Sequence, residues 1–218
     1  MGYLILKDLM LQKRMLLLAF AYVLIFTFAF QQMGEGQLIA IVSAVGYMFV
    51  LMGGAWEEKN SADKLWNSLP VAKWKVVAAK FLSVPVYGAI VIAIYWIVST
   101  VFTALRIPIA AVPLDLVGGV LGIGAIFMAA SLYYPVYFAV GYTRARYWHF
   151  ILFFALVSFG SFLPRLFPKK PAWIEPLLER LPKITSDAMF LATFGGVIAL
   201  IVLISFLLSL KLYERREF

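Results

Sequence analysis

Hydrophobic residues fill this chain in long, nearly uninterrupted stretches separated by short polar segments. A helix needs roughly 20 mostly apolar residues to cross the ~30 Å hydrocarbon core of a bilayer, and six stretches reach or approach that length. The pattern therefore predicts an all-α membrane protein with six transmembrane helices. Their predicted bounds are 15–30, 38–55, 81–105, 116–142, 148–167 and 188–210.

Charged residues are missing from the interiors of these stretches, apart from Arg165 at one end of the fifth. A charge at the centre of a membrane helix costs ~2.5–3.5 kcal/mol on insertion scales, so the stretches are typical of true spans. The whole chain is 64% hydrophobic and 14% charged, against ~45–50% and ~25% in soluble domains. This composition excludes a soluble enzyme and a disordered chain.

Ion-driven carriers usually place ionisable groups in the membrane. Because the predicted spans contain none in their interiors, we expect any transport by this protein to be energised from outside the chain.

The first stretch also has features of a secretory signal peptide. Basic residues precede it, and Thr27-Phe28-Ala29 is a weak match to a cleavage site. Its apolar run is longer than the ~7–15 residues of a signal core. We therefore predict a retained span.

Basic residues predict the orientation of the chain. If both termini are cytoplasmic, 13 of the 19 Lys and Arg residues lie on the inner side, as the positive-inside rule requires. The net charge of +8 then reflects membrane topology, and we expect no nucleic-acid partner.

Three polar segments divide what is otherwise a single transmembrane domain covering 1–218. They are 1–14, 56–75 and 164–187. The first mixes Leu and Ile with Lys7, Asp8 and Gln12, which is typical of a helix lying on the inner leaflet. The alternative is that it lengthens the first span.

The segment 56–75 is longer than the ~2–8 residues needed to connect two helices. Asn60 or Ser61 is suited to cap a short helix, and Pro70 is suited to end it. The segment is then either a solvated connection between two spans or a docking surface for a cytoplasmic partner. The candidate docking residues are Glu57, Glu58, Ser61, Asp63, Lys64, Leu65, Trp66, Asn67, Leu69 and Pro70.

The segment 164–187 contains five of the ten prolines and is expected on the outer side. Between the prolines, four apolar residues recur at the spacing of one helix face. We predict short extracellular helices that cap the outer end, with these residues as a candidate outer gate. They are Ile174, Leu177, Leu178 and Leu181.

Motifs for catalysis or cofactor binding are missing from the sequence. It contains no phosphate-binding G-x-x-x-x-G-K-[ST] and no H-E-x-x-H. It has no cysteine, and its one histidine is His149. We therefore predict no catalytic residue, no metal site and no cofactor bound by this chain.

Three short runs resemble one class of membrane protein. They are Leu6-Lys7-Asp8-Leu9 followed by Gln12-Lys13, Ser68-Leu69-Pro70-Val71, and Lys80-Phe81-Leu82. Together with the six spans, they resemble the permease subunits of type-2 ABC (ABC-2) exporters. Within this class, the chain resembles the small bacterial permeases that export phenol-soluble modulins or give immunity to antimicrobial peptides.

The resemblance implies a function and a set of partners. Two permeases, identical or related, would pair in the bacterial plasma membrane and bind separate ATP-binding subunits that hold ATP and Mg. The helix at 61–69 would be the coupling helix, seated on the ATPase. Alternating access of the permease pair would then export amphipathic peptides, including toxins and virulence factors.

Two other classes remain as alternatives. One is the substrate-binding membrane subunit of an ATP-driven vitamin importer, although Ala19, Ala21 and Ala29 do not give the A-x-x-x-A spacing usual in its first helix. The other is a non-transport scaffold or sensor without an ATPase partner.

Overall fold

The computed structural model describes residues 2–60, 72–106, 114–148, 151 and 187–216, which form helices and turns without a strand. We number the α-helices in chain order. They are α1 Gly2–Leu11, α2 Lys13–Ala29, α3 Gly36–Lys59, α4 Lys73–Ala104, α5 Leu116–Val140 and α6 Asp187–Arg215, with a 3₁₀ turn at Gln31–Met33 between α2 and α3. Residues 142–148 are also helical.

In the described part of the chain, four helices, α3 to α6, are long and apolar enough to cross a membrane. A bent pair formed by α1 and α2 raises the number to five if it counts as one span. The prediction of an all-helical membrane protein is confirmed. The predicted fifth span, 148–167, lies almost wholly outside the described residues, so the count of six stays a prediction.

The N-terminal region is two helices that meet at a bend of 70°. The break falls at Gln12, between Leu11 and Lys13, slightly earlier than the predicted boundary at residue 14. An abrupt change of direction at this point is compatible with an interfacial helix that leads into a span.

The helices α3 and α4 extend beyond the predicted spans. The first continues to Lys59 and the second already begins at Lys73, so both ends of the predicted segment 56–75 belong to long helices. Asn60 ends α3, and its side-chain amide donates to the Trp56 carbonyl at 2.8 Å. The short helix that Asn60 or Ser61 was predicted to cap lies outside the described residues. We call the end of the bundle where α3 ends and α4 begins the basic end.

Close contact between α3 and α5 forms the centre of the bundle. Gly122 on α5 faces Val42 on α3, and a Cβ added at Gly122 would come within 2.7 Å of the Val42 Cβ. Gly46 on α3 faces Ile126 in the same way. Glycine is required at these positions because a larger side chain would force the two helix backbones apart.

Gly122→Ala is expected to destabilise the protein by about 1–3 kcal/mol, the usual cost of overpacking. The matched control is Gly196→Ala on α6, where an added Cβ meets nothing within 4 Å. That change should be neutral or stabilise by up to ~1 kcal/mol, because it lowers the entropy of the unfolded chain. Thermal unfolding of the detergent-purified variants measures both effects. Equal midpoints for the two variants would contradict the packing described here.

Candidate functional site

Four charged side chains from three helices meet at the basic end and form a closed ring of ion pairs. Lys7 Nζ lies 3.0 Å from Asp8 Oδ1 and 2.6 Å from Glu57 Oε1. Lys80 Nζ lies 3.1 Å from Asp8 Oδ2 and 2.9 Å from Glu57 Oε2. Positive and negative groups therefore alternate around what we call the charge ring.

The charge ring is largely shielded from solvent. The exposed fractions of its side chains are 26% for Lys7, 3% for Asp8, 4% for Glu57 and 6% for Lys80. Removing single ions from water costs several kcal/mol each, and good pairing geometry is needed to offset that cost. Two lysines and two carboxylates leave no net charge, so the burial is tolerated while the positive and negative groups stay balanced.

The charge ring holds α1 against the two helices that border the predicted docking segment. Adjacent residues of α1 supply Lys7 and Asp8, while Glu57 lies in the last turn of α3 and Lys80 in the second turn of α4. A shift of α3 or α4 at this end must therefore move α1 with it or break ion pairs.

The helix α5 joins this network through two tyrosines. The Tyr137 hydroxyl donates to Glu57 Oε2 at 2.8 Å, and the Tyr134 hydroxyl donates to the Lys80 carbonyl at 3.1 Å. Both tyrosines are buried. The first bond stabilises the ionised carboxylate directly, because a hydrogen bond to a charged group is stronger than one between neutral groups.

Gln12 holds the bend between α1 and α2 against two neighbouring helices. Its side chain is buried, and Nε2 donates to the Tyr87 hydroxyl of α4 at 3.1 Å. It also lies against Gly53 of α3, where an added Cβ would be 2.9 Å from Gln12 Nε2. The bend is thus fixed by contacts with both α3 and α4.

Two further contacts anchor the helix ends beside the docking segment. Glu58 accepts a hydrogen bond from the Thr143 backbone N–H at 2.9 Å and another from the Thr143 hydroxyl. Gly141, two residues before Thr143, has φ +83°, which favours glycine at the sharp turn after α5.

At the start of α4, Lys73 Nζ donates to the carbonyls of Tyr213 and Glu214 at 3.4 and 3.3 Å. The end of α3 is thus tied to the turn after α5, and the start of α4 to the end of α6.

The structure corrects two sequence predictions. Glu57 was expected on a docking surface, but its carboxylate is buried in the charge ring and is not available to a partner. The membrane helices were expected to hold no buried charge, because the predicted spans ended at 55 and began again at 81. The helices continue past both limits, and this places Glu57 and Lys80 inside the bundle.

Most predicted site residues fall outside the described residues. Among the docking candidates, Glu58 is described, exposed and bound to Thr143. The others outside the description are Ser61, Asp63, Lys64, Leu65, Trp66, Asn67, Leu69 and Pro70. The outer-gate candidates Ile174, Leu177, Leu178 and Leu181 lie outside it as well.

The arrangement of the charge ring is suited to holding helices together by ion pairs. Within the described ranges, no group of three or more His, Asp or Glu side chains is arranged to hold a metal ion. The carboxylates Asp8 and Glu57 are each engaged by both lysines of the ring. The arrangement suits a rigid junction that joins four helices at one end of the bundle.

Comparison with known proteins gives one match. A family profile described as ABC-2 family transporter protein matches residues 3–214, nearly the whole chain. Comparisons with curated proteins and with solved structures gave no significant match.

Proposed function

The chain belongs to the ABC-2 family of transporter proteins, and we propose from this premise that it is the permease subunit of an ATP-driven exporter of amphipathic peptides. It is a multi-pass membrane protein whose family works with an ATP-binding partner. Two copies, or one copy and a related permease, form the pathway in the bacterial plasma membrane. Both termini lie in the cytoplasm, and ATP and Mg bind to the partner.

The anchoring of α3 and α4 at the basic end is the observation that carries the coupling part of this proposal. These two helices flank 61–71, the segment proposed to dock on the ATPase. Glu57 and Lys80 join them to α1, Glu58 joins α3 to the turn after α5, and Lys73 joins α4 to α6. A displacement applied to the docking segment would therefore reach α1, α6 and the turn after α5 as well as α3 and α4.

The distribution of charge supports an amphipathic substrate. From Phe81 to Val140, a stretch that includes most of α4 and all of α5, the only charged residues are Arg106 and Asp115, and both lie outside those helices. A pathway built from such helices offers apolar contacts over most of its length. An amphipathic peptide can exchange its apolar face between lipid and such a surface at low cost.

Co-purification and transport by the reconstituted complex test the proposal. The tagged permease is extracted gently from its native membrane, and its partners are identified by mass spectrometry. We expect a stoichiometric ATP-binding-cassette subunit. Inside-out vesicles holding the complex should then accumulate a fluorescent amphipathic peptide only when ATP is present, and the permease alone should hydrolyse no ATP.

The controls separate the alternative functions. A scrambled peptide of the same composition, which lacks an apolar face, should not accumulate. ATP-dependent binding and import of biotin or riboflavin, with no peptide movement, would favour the vitamin-importer alternative. Absence of an ATPase after gentle extraction would favour a scaffold or sensor. ATP hydrolysis by the permease alone would contradict the division of labour proposed here.

A further inference from the structure

An open apolar groove of about 320 Å³ separates α2 from α3 at the basic end. Its lining includes Met15 and Tyr22 on α2, and Met48 and Met52 on α3. Three of them are methionines, whose flexible side chains adapt to irregular apolar ligands. Because α3 is a candidate membrane span, an apolar groove on its surface is reached from the acyl region of the bilayer.

One end of the groove carries a positive charge beside an aromatic ring. Among the described residues that line the groove, only Lys59 is charged, and Lys59 Nζ lies 5.0 Å from the centroid of the Trp56 ring. Lys13, at the start of α2, is exposed at the same end. Tryptophan and lysine at the end of a membrane helix mark the level of the lipid headgroups.

The two neighbouring carboxylates that the structure describes are engaged elsewhere. Glu57 faces the charge ring, and Glu58 is bound to Thr143. Within the described part of the chain, no acidic side chain lies within ion-pair distance of Lys59. Among the described residues, the groove therefore combines an apolar surface with a lysine that no described carboxylate pairs at its headgroup end.

From this combination we propose that the groove binds one anionic phospholipid. Its acyl chain lies along the methionines between α2 and α3, and its phosphate pairs with Lys59 beside Trp56. Basic pockets between membrane helices recognise anionic headgroups in this way. The bound lipid fills the space between the two helices next to the bend at Gln12, and it is distinct from any transported substrate.

Lipid retention by the purified full-length protein, measured by native mass spectrometry, tests the site. The probes are phosphatidylglycerol and phosphatidylcholine with identical acyl chains, and inorganic phosphate is the competitor. We expect phosphatidylglycerol to be retained in preference, and Lys59→Ala to lower its retention roughly fivefold, the size of one lysine at an anionic lipid surface. The matched control is Lys75→Ala, which removes a lysine 5.8 Å from the Trp74 ring on α4, away from the groove.

A second pair of variants tests the acyl-chain part of the site without changing charge. Ala55 lines the groove, so Ala55→Phe should reduce retention of both lipids by filling it. Leu203→Phe, on an exposed face of α6, should leave retention unchanged.

Several outcomes would overturn the proposal. Equal losses in Lys59→Ala and Lys75→Ala would mean that surface charge alone attracts the lipid. Equal retention of the two lipids by the wild type would exclude headgroup recognition. Displacement of the lipid by equimolar inorganic phosphate would indicate a phosphate site, and a co-purified peptide in the groove would assign it to a different ligand.

Discussion

Lys80→Met is expected to destabilise the protein by about 3–5 kcal/mol, the usual cost of removing one partner from a buried ion pair. The substitution leaves Asp8 and Glu57 facing a single cation, Lys7, in a site that is largely shielded from water. One negative charge is then buried without compensation. Methionine preserves most of the side-chain volume, so the loss measures electrostatics rather than a cavity. Unfolding of the purified variant by heat and by titration with SDS measures the effect.

A double variant distinguishes a closed ring from a set of independent contacts. Glu57→Gln combined with Lys80→Met removes one charge of each sign and leaves the pair of Lys7 with Asp8, which are 3.0 Å apart. We expect the double variant to be more stable than Lys80→Met alone, because residues within one network do not add independently. Lys75→Met, at an exposed position, should stay within ~0.5 kcal/mol of wild type. Glu57→Gln is also measured alone. If the double variant loses as much stability as Lys80→Met and Glu57→Gln lose together, the four groups do not act as one unit.

Much of the fold could be predicted from the sequence because bilayer insertion imposes a strong constraint. The apolar stretches at 38–55, 81–105, 116–142 and 188–210 overlap α3, α4, α5 and α6. Asp115 was not singled out, yet it fixes the start of α5 by accepting a hydrogen bond from the Gly118 N–H at 2.9 Å. The ABC-2 resemblance is confirmed at the level of the family, while the peptide substrate stays a prediction.

The charge ring was missed because hydropathy treats each charged residue alone. Glu57 and Lys80 lie within one turn of a predicted span, and Lys7 and Asp8 lie about two turns before the first one. A charge at such positions ordinarily faces water or snorkels to it. Only their mutual neutralisation allows the helices to continue inward past these residues. A useful signal was available, because the predicted orientation places all four residues, two acids and two bases, on the same side of the membrane. That signal identifies possible partners, but the pairing itself depends on tertiary structure.

In the proposed transport cycle, the docking segment and the charge ring have different roles. Binding of an ATPase requires an accessible surface, whereas transmission of its movement requires helices that cannot shift independently. Glu57 illustrates the distinction, because its sequence position is next to the docking segment and its side chain faces the interior. Variants at 61–70 should therefore alter ATPase binding, and ring variants should alter stability and the response to ATP.

Leu65→Asp or Trp66→Asp is expected to abolish co-purification of the ATP-binding subunit. Both residues are apolar within a polar segment. A few buried anchor residues, tryptophan prominent among them, carry most of the binding free energy at protein interfaces. Burying a carboxylate in the apolar groove of a partner costs several kcal/mol, enough to lower affinity by orders of magnitude. Quantitative mass spectrometry of the tagged permease after gentle extraction measures the loss.

The control must show that insertion and folding are intact when the ATPase is lost. Leu105→Asp makes the same change at an exposed leucine that ends α4, at the opposite end of that helix from Lys73. It should leave ATPase binding at the wild-type level. Unchanged ATPase recovery with Leu65→Asp and with Trp66→Asp would remove the docking assignment. Loss of the ATPase in all three variants would attribute the effect to general destabilisation, whereas loss confined to residues 65 and 66 requires that the ATPase contact this segment.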